Sequence, residues 1–212
     1  MTYILASASP RRIELIRQMG LDVTVVPGDA DEDVQTTDPE QLVMELSKKK
    51  AQEVASRFSN GEIVIGADTC VYAGESILGK PATKSEAMAM RAMLQGNVHH
   101  VYTGVTLLRC EEPFGQGAAG GAEQAKDNPV HTVRDIRFVE QTAVYVYPMT
   151  AEEIAAYVET GEPMDKAGAY GIQGVFARYI EKIEGDYYNV MGLPVGRLYQ
   201  TMKEKGLWPT TF

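Results

Sequence analysis

The feature that most constrains this chain is alternation. Short β-branched, apolar runs are separated by stretches that open with a helix-capping side chain. Ser9-Pro10, Asp38-Pro39-Glu40-Gln41, Thr83-Lys84-Ser85-Glu86 and Thr150-Ala151-Glu152-Glu153 each set a capping oxygen ahead of a helix-compatible run. Proline at the first helical position, or Glu or Gln three residues after the cap, strengthens each start. The pattern predicts helices from Pro10 to near Gly20, Asp38 to about Phe58, Thr83 to Gly96, Thr150 to Gly161 and over Pro194–Lys205. Strands are predicted at Tyr3–Ala6, Leu21–Val26, Ile63–Gly66 and Val71–Tyr72, the last turning at Gly74 into a hairpin, and at Val175–Ile183. His99–Leu108 and Arg134–Tyr147 are long and alternating, as antiparallel neighbours are. Interleaving of this kind predicts an α/β fold on a mixed sheet.

Composition narrows the function classes. Two cysteines in 212 residues, Cys70 and Cys110, cannot build a disulfide scaffold and point to a reducing compartment. No apolar run approaches the roughly 18 residues of a membrane span, and the N-terminus lacks the basic region of a signal peptide. A formal net charge of −9 argues against nucleic-acid polymers as partners. The expectation is a cytoplasmic protein forming a single domain over 1–212. Residues 111–130 are Gly/Ala-rich but carry no Lys-Ser or Lys-Thr after the glycines, so they read as a flexible hairpin insertion rather than a phosphate loop. The methionines around Met88, Met90 and Met93 read as helix core filling. His99, His100 and His131 are too scattered for a metal site or a triad, and Cys70 reads as a small buried strand residue.

Three segments carry chemistry. Ala6-Ser7-Ala8-Ser9-Pro10-Arg11-Arg12 ends a strand and opens a helix with two arginines in its first turn. Cations there oppose the helix dipole by roughly 0.3–1 kcal/mol each, which suggests a bound anion with phosphate-like geometry; pairing with nearby acids is the alternative. Gly66-Ala67-Asp68-Thr69 puts a carboxylate at the end of an apolar strand, where open α/β sheets hold ligands. Asp68 suits a divalent cation or a proton from water, or else simply caps a turn. Lys80, between Gly79 and Pro81, suits a phosphate contact or a solvated surface. The acids Asp29, Asp31, Glu32 and Asp33 read as a solvated loop or a hard-cation site, and Lys48-Lys49-Lys50 leaves one lysine free to face the anion. The third segment, Gly161 to Gly174, has four glycines around Tyr170 and Gln173 and suits a loop packed against something flat or phosphorylated.

In chain order, Leu5–Arg12, Asp31-Glu32, Lys50-Ala51, Gly66–Thr69, Gly79-Lys80-Pro81, Tyr102–Val105, Tyr157 to Gly161 with Glu162-Pro163, Asp165–Gly174 and Ile183–Pro194 resemble the Maf-like nucleoside triphosphate pyrophosphatases. The resemblance covers nearly the whole chain except 111–130. It implies a two-lobed α/β structure around a mixed twisted sheet with a central cleft, similar to inosine triphosphatase-type enzymes. It also implies a house-cleaning hydrolase that converts a nucleoside triphosphate to the monophosphate and pyrophosphate with a divalent cation, Mg²⁺ or Mn²⁺. By position Asp68 matches the proton acceptor, Glu32 and Asp68 the metal side, and Ser7, Arg12, Lys50 and Lys80 the phosphate side. Arg11, Thr69 and Gln173 match positions tied to substrate choice. The Ile172-Gln173 form is similar to the subgroup acting on dTTP and UTP. A homodimer is implied, and a nucleotide-binding regulator of septum formation is the rival reading.

Overall fold

The computed structural model describes residues 1–110 and 132–209; the Gly/Ala-rich segment 111–130 lies outside them. Seven strands form one mixed sheet. They are β1 (Tyr3–Leu5), β2 (Thr24–Val25), β3 (Ile63–Ala73), β4 (Ser76–Leu78), β5 (Val98–Cys110), β6 (Thr132–Val146) and β7 (Ile180–Glu184). The order is β2-β1-β3-β5-β6-β7, with β4 hairpinned onto β3. β1 runs parallel to β2 and β3, and every other pairing is antiparallel. The helices are α1 (Pro10–Gln18), α2 (Pro39–Ala55), α3 (Lys84–Leu94), α4 (Ala151–Glu159), α5 (Tyr187–Met191) and α6 (Val195–Glu204).

The predicted caps form as the side chains dictate. Ser9, Asp38, Thr83 and Thr150 each accept backbone N–H bonds from the first turns of their helices. Thr150 and Glu153 complete a reciprocal box. The box at Thr83 is displaced by one residue, since the Glu86 carboxylate accepts from Ala82 N at 2.7 Å. The expected strand over Val175–Ile183 is half 3₁₀ helix: Val175–Tyr179 coil and only Ile180–Glu184 extend. Phe176 and Tyr179, both buried, are three apart, which places them on one side of a 3₁₀ turn and not of a strand. The Leu21–Val26 run shrinks to the two-residue edge strand β2, and β3 outgrows its prediction because β5 pairs with it from Ile63 to Tyr72.

Alternation along β3 divides the core. Ile63, Ile65 and Ala67 enter the main apolar cluster with Leu5, Leu15 and Val105, while Val64 packs with Ala51, Val54 and Leu108 beneath α2. Helix α2 lies unusually close to the sheet. A Cβ on Gly66 would strike the Ser47 carbonyl and Ala51, and one on Gly104 would strike the Val43 carbonyl. Both glycines are therefore fixed by the approach of a helix backbone rather than by a turn. No described helix is long and apolar enough to cross a membrane.

Candidate active site

β1 stops at Leu5, and its last contact with β3 is the Ala6 N–H donated to the Ile65 carbonyl at 2.9 Å. From there the chain swings away into α1, while β3 continues through Asp68 and Thr69. A cleft of about 930 Å³ opens at this divergence, at the carboxyl ends of the parallel strands. Its lining brings together Ser7, Arg11, Arg12, Glu32, Lys50, Asp68, Thr69, Lys80 and Gln173; of the acidic run only Glu32, and of the three lysines only Lys50, reaches it.

Asp68 and Thr69 are neighbours on a strand, so their side chains leave opposite faces of the sheet. Asp68 shares the face of Gly66 and meets α2. There Lys50, on the same helical face as Ser47 and Ala51, donates to Asp68 Oδ1 at 2.6 Å and pairs with Glu32 Oε1 at 2.8 Å. The close approach licensed by Gly66 and Gly104 is what brings this lysine to the carboxylate. Lys49 faces another way and donates to the Asp33 carbonyl at 2.8 Å. Hydrogen bonding to Lys50 holds the Glu32 carboxyl below its ordinary range, with Lys80 and Arg12 adding to the effect against a smaller penalty of burial.

Thr69, on the other face, meets Arg12. The guanidinium donates from Nη2 to Thr69 Oγ1 at 3.0 Å and from Nε to the Gly192 carbonyl at 2.8 Å, while Nη1 lies 3.5 Å from Ser7 Oγ. Burial, offset in part by Asp68, pulls the Arg12 value down from its usual range. Arg11 and Lys80 line the cleft, and their side chains make no hydrogen bond or ion pair with a described residue. Gln173 is exposed at the rim. Cys70 also lines the cleft, but burial raises its thiol to about 12, so it is no nucleophile at neutral pH.

The loop Gly161–Gly174 forms another wall of the cleft and rests on a scaffold of Tyr157, Glu162, Arg91 and Phe176. Tyr157 donates to Glu162 Oε1 at 2.9 Å, and Glu162 Oε2 accepts from Val175 N at 2.9 Å. Gly168 N donates to the Gly79 carbonyl at 2.9 Å, tying the loop to the Lys80 turn. Behind it Arg91 is buried, donates to the Gly168 carbonyl and stacks on Tyr170 and Phe176 at 4.8 and 4.7 Å from the ring centres. His99 Nε2 bonds the Tyr170 hydroxyl at 2.8 Å. A sequence signal for Arg91 existed: Ala87, Arg91 and Leu94 share one helical face, and all three are buried. Met88 and Met93, expected as core filling, lie on the exposed side of the same helix.

Fold and cleft together define the class: a mixed-sheet α/β protein that gathers cations over carboxylates at its strand ends. The chain belongs to the Maf-like protein family, whose model matches residues 2–205. It is similar to a dTTP/UTP pyrophosphatase of Geobacillus sp., 45% identical over 96% of this chain and 97% of that one. It is likewise similar to a dTTP/UTP pyrophosphatase of Agathobacter rectalis, 44% identical over 96% of this chain and 97% of that one. Among solved structures, the Staphylococcus aureus Ham1 protein matches with a TM-score of 0.45 and 11% identity, covering 97% of this chain and 100% of that one.

Proposed function

We propose that this chain hydrolyses pyrimidine nucleoside triphosphates, dTTP and UTP foremost, to the nucleoside monophosphate and pyrophosphate. The observation that carries the reading is the Lys50 ammonium shared by Asp68 and Glu32, facing Arg11, Arg12 and Lys80 across one cleft. The relatives named for that activity support the substrate class. Ser7, Arg12, Lys50 and Lys80 hold the phosphates, and offset the charge that develops as the bridging oxygen leaves with pyrophosphate. Asp68 accepts a proton from the water whose oxygen forms the new bond to the α-phosphorus. Gln173, exposed at the rim, offers an amide to a base edge, and Arg11 lines the same cleft; with Thr69 these are the positions the family resemblance ties to substrate choice.

The donor set also fits a divalent cation. Asp68 Oδ1 and Glu32 Oε1 converge on one point, now marked by the Lys50 ammonium 2.6 and 2.8 Å away. Two hard carboxylates with the remaining positions left to phosphate oxygens and water is how Mg²⁺ or Mn²⁺ is held. Among the described residues no group of three or more His, Cys, Asp or Glu gathers as a metal cage. When bound, such an ion supplies charge neutralisation to the phosphate oxygens. We further propose that the enzyme acts in the cytoplasm as a homodimer of single-domain chains.

Pyrophosphate release from a panel of triphosphates with Mg²⁺ or Mn²⁺ tests the reading. Turnover of UTP or dTTP that Asp68→Asn abolishes supports it. Turnover of purines alone keeps the chemistry and overturns the base assignment. Tight nucleotide binding without pyrophosphate from any substrate makes the chain a regulator.

A further inference from the structure

Arg12 is held at two edges, and the second edge is a chain of hydroxyls whose direction follows from valence. Arg12 Nη2 can only donate, so Thr69 Oγ1 accepts from it at 3.0 Å. The Asn189 carbonyl can only accept, so Thr103 gives it its single proton at 3.1 Å. Between them Thr69 Oγ1 and Thr103 Oγ1 lie 2.9 Å apart. With the Thr103 proton already committed, Thr69 is the donor in that bond. The path runs one way: Arg12 to Thr69 to Thr103 to the Asn189 carbonyl.

The two threonines are direct register partners on β3 and β5, so they share a face of the sheet. Thr103 is fully buried and does not line the cleft. Asn189 is fully buried as well, and its Nδ2 donates to the Val101 carbonyl and Thr142 Oγ1, each at 3.0 Å. Gly192, which accepts from Arg12 Nε, follows the same short helix α5. One segment, Asn189 to Gly192, therefore supplies both acceptors that orient the guanidinium: one directly, the other through two hydroxyls.

We infer that Thr103, which lies outside the cleft, is a positioning residue for the phosphate-binding Arg12, acting through the Thr69 hydroxyl. The inference rests on the pyrophosphatase reading above. Thr69 spends its proton on Thr103 and one lone pair on Arg12, so it orients the guanidinium while keeping one acceptor position open. The free N–H groups of the guanidinium are thereby turned towards Ser7 and the cleft.

The test is a double-mutant cycle read by titration with inorganic pyrophosphate. Thr103→Val removes the relay while keeping the shape, and weakens pyrophosphate binding on the order of fivefold, the size of one hydrogen bond. Thr103→Ser retains the hydroxyl and binds as wild type. In an Arg12→Lys background, which loses the forked geometry, Thr103→Val has no further effect, and the ratio of kcat/KM between UTP and other triphosphates is unchanged by Thr103→Val. Pyrophosphate affinity indifferent to Thr103→Val, a full fivefold loss persisting in the Arg12→Lys background, or altered base preference in its place each overturns the relay while wild-type turnover stands. A wild-type chain that neither cleaves triphosphates nor binds pyrophosphate overturns both the relay and the reading it rests on.

Discussion

At one end of the cleft Arg12 is half-buried and held by oxygen atoms: Thr69, the Gly192 carbonyl and, more distantly, Ser7. At the other, behind the loop Gly161–Gly174, Arg91 is fully buried and held by aromatic faces, with a single carbonyl as its hydrogen-bond acceptor. Arg91 Nε and Nη1 have no hydrogen-bond partner among the described residues, and desolvation lowers its value to about 10. The surroundings assign different work to the same side chain. Oxygen acceptors fix a guanidinium plane and leave N–H groups for a ligand. Aromatic faces accept the flat cation as a packing element, so that Arg91 stiffens a wall without touching what the wall binds.

The comparison can be broken experimentally, beginning with the largest effect. Asp68→Asn is expected to lower turnover by about 10²–10⁴-fold, the usual contribution of a positioned base, with the thermal unfolding curve little changed. Retained pyrophosphate release would remove Asp68 from the chemistry and with it the functional meaning of the Arg12 end. Arg91→Ala should cost about 3 kcal/mol of stability, through a cavity between two rings and an unpaired Gly168 carbonyl. That is a Tm lower by roughly 6–12 °C for a chain of this size. It should raise KM for the nucleotide while sparing affinity for inorganic pyrophosphate. Equal damage to both would mean that the two ends are not separable.

The third effect concerns pH. His99 is buried beside Tyr170, and burial brings it down from 6.5 to about 3, with Arg91 and His100 adding to the shift. The unfolded chain therefore takes up this proton first as pH falls, so the stability His99 contributes is complete above about 6.5 and lost between 6.5 and 3. One such group changes stability by about 1.4 kcal/mol per pH unit, hence roughly 2 kcal/mol between pH 7 and pH 5. Denaturant unfolding at those two pH values should reveal that difference in wild type and its disappearance in His99→Gln, which keeps a partner for the Tyr170 hydroxyl. An equal slope in both proteins would place the acid sensitivity elsewhere.

Gln173→Ala is smaller still. On an exposed rim it should reduce discrimination between UTP and other triphosphates by roughly tenfold or less, as measured by the ratio of kcat/KM values, and leave pyrophosphate binding alone. Met93→Gln, on the exposed side of α3, should shift stability by no more than about 0.5 kcal/mol. A larger loss would mean that this face of the helix is covered in solution.

Much of this molecule was legible before any coordinates. The helix starts at Ser9, Asp38, Thr83 and Thr150 are local contests between a side-chain oxygen and nearby N–H groups, and the pairing of the two long strands follows from their alternation. Asp68, Lys50 and Arg12 could be marked as candidates because their chemistry and their place at a strand end, within a helix and at a helix start are properties of short segments. The sequence did not yield the 3₁₀ turn at Val175–Tyr179, the burial of Arg91, the exposure of Met93 or the path from Arg12 to Asn189. Each depends on contacts between residues far apart in the chain. Which of three consecutive lysines meets Asp68 was decided by how closely α2 settles over Gly66 and Gly104. The direction of the hydroxyl relay was decided by β3–β5 register and by the carbonyl that α5 presents. Residue type and periodicity determine which groups are available and which face they take. Only packing at close range determines which partner each one meets, because hydrogen bonds and ion pairs act over a few ångströms that no local pattern fixes.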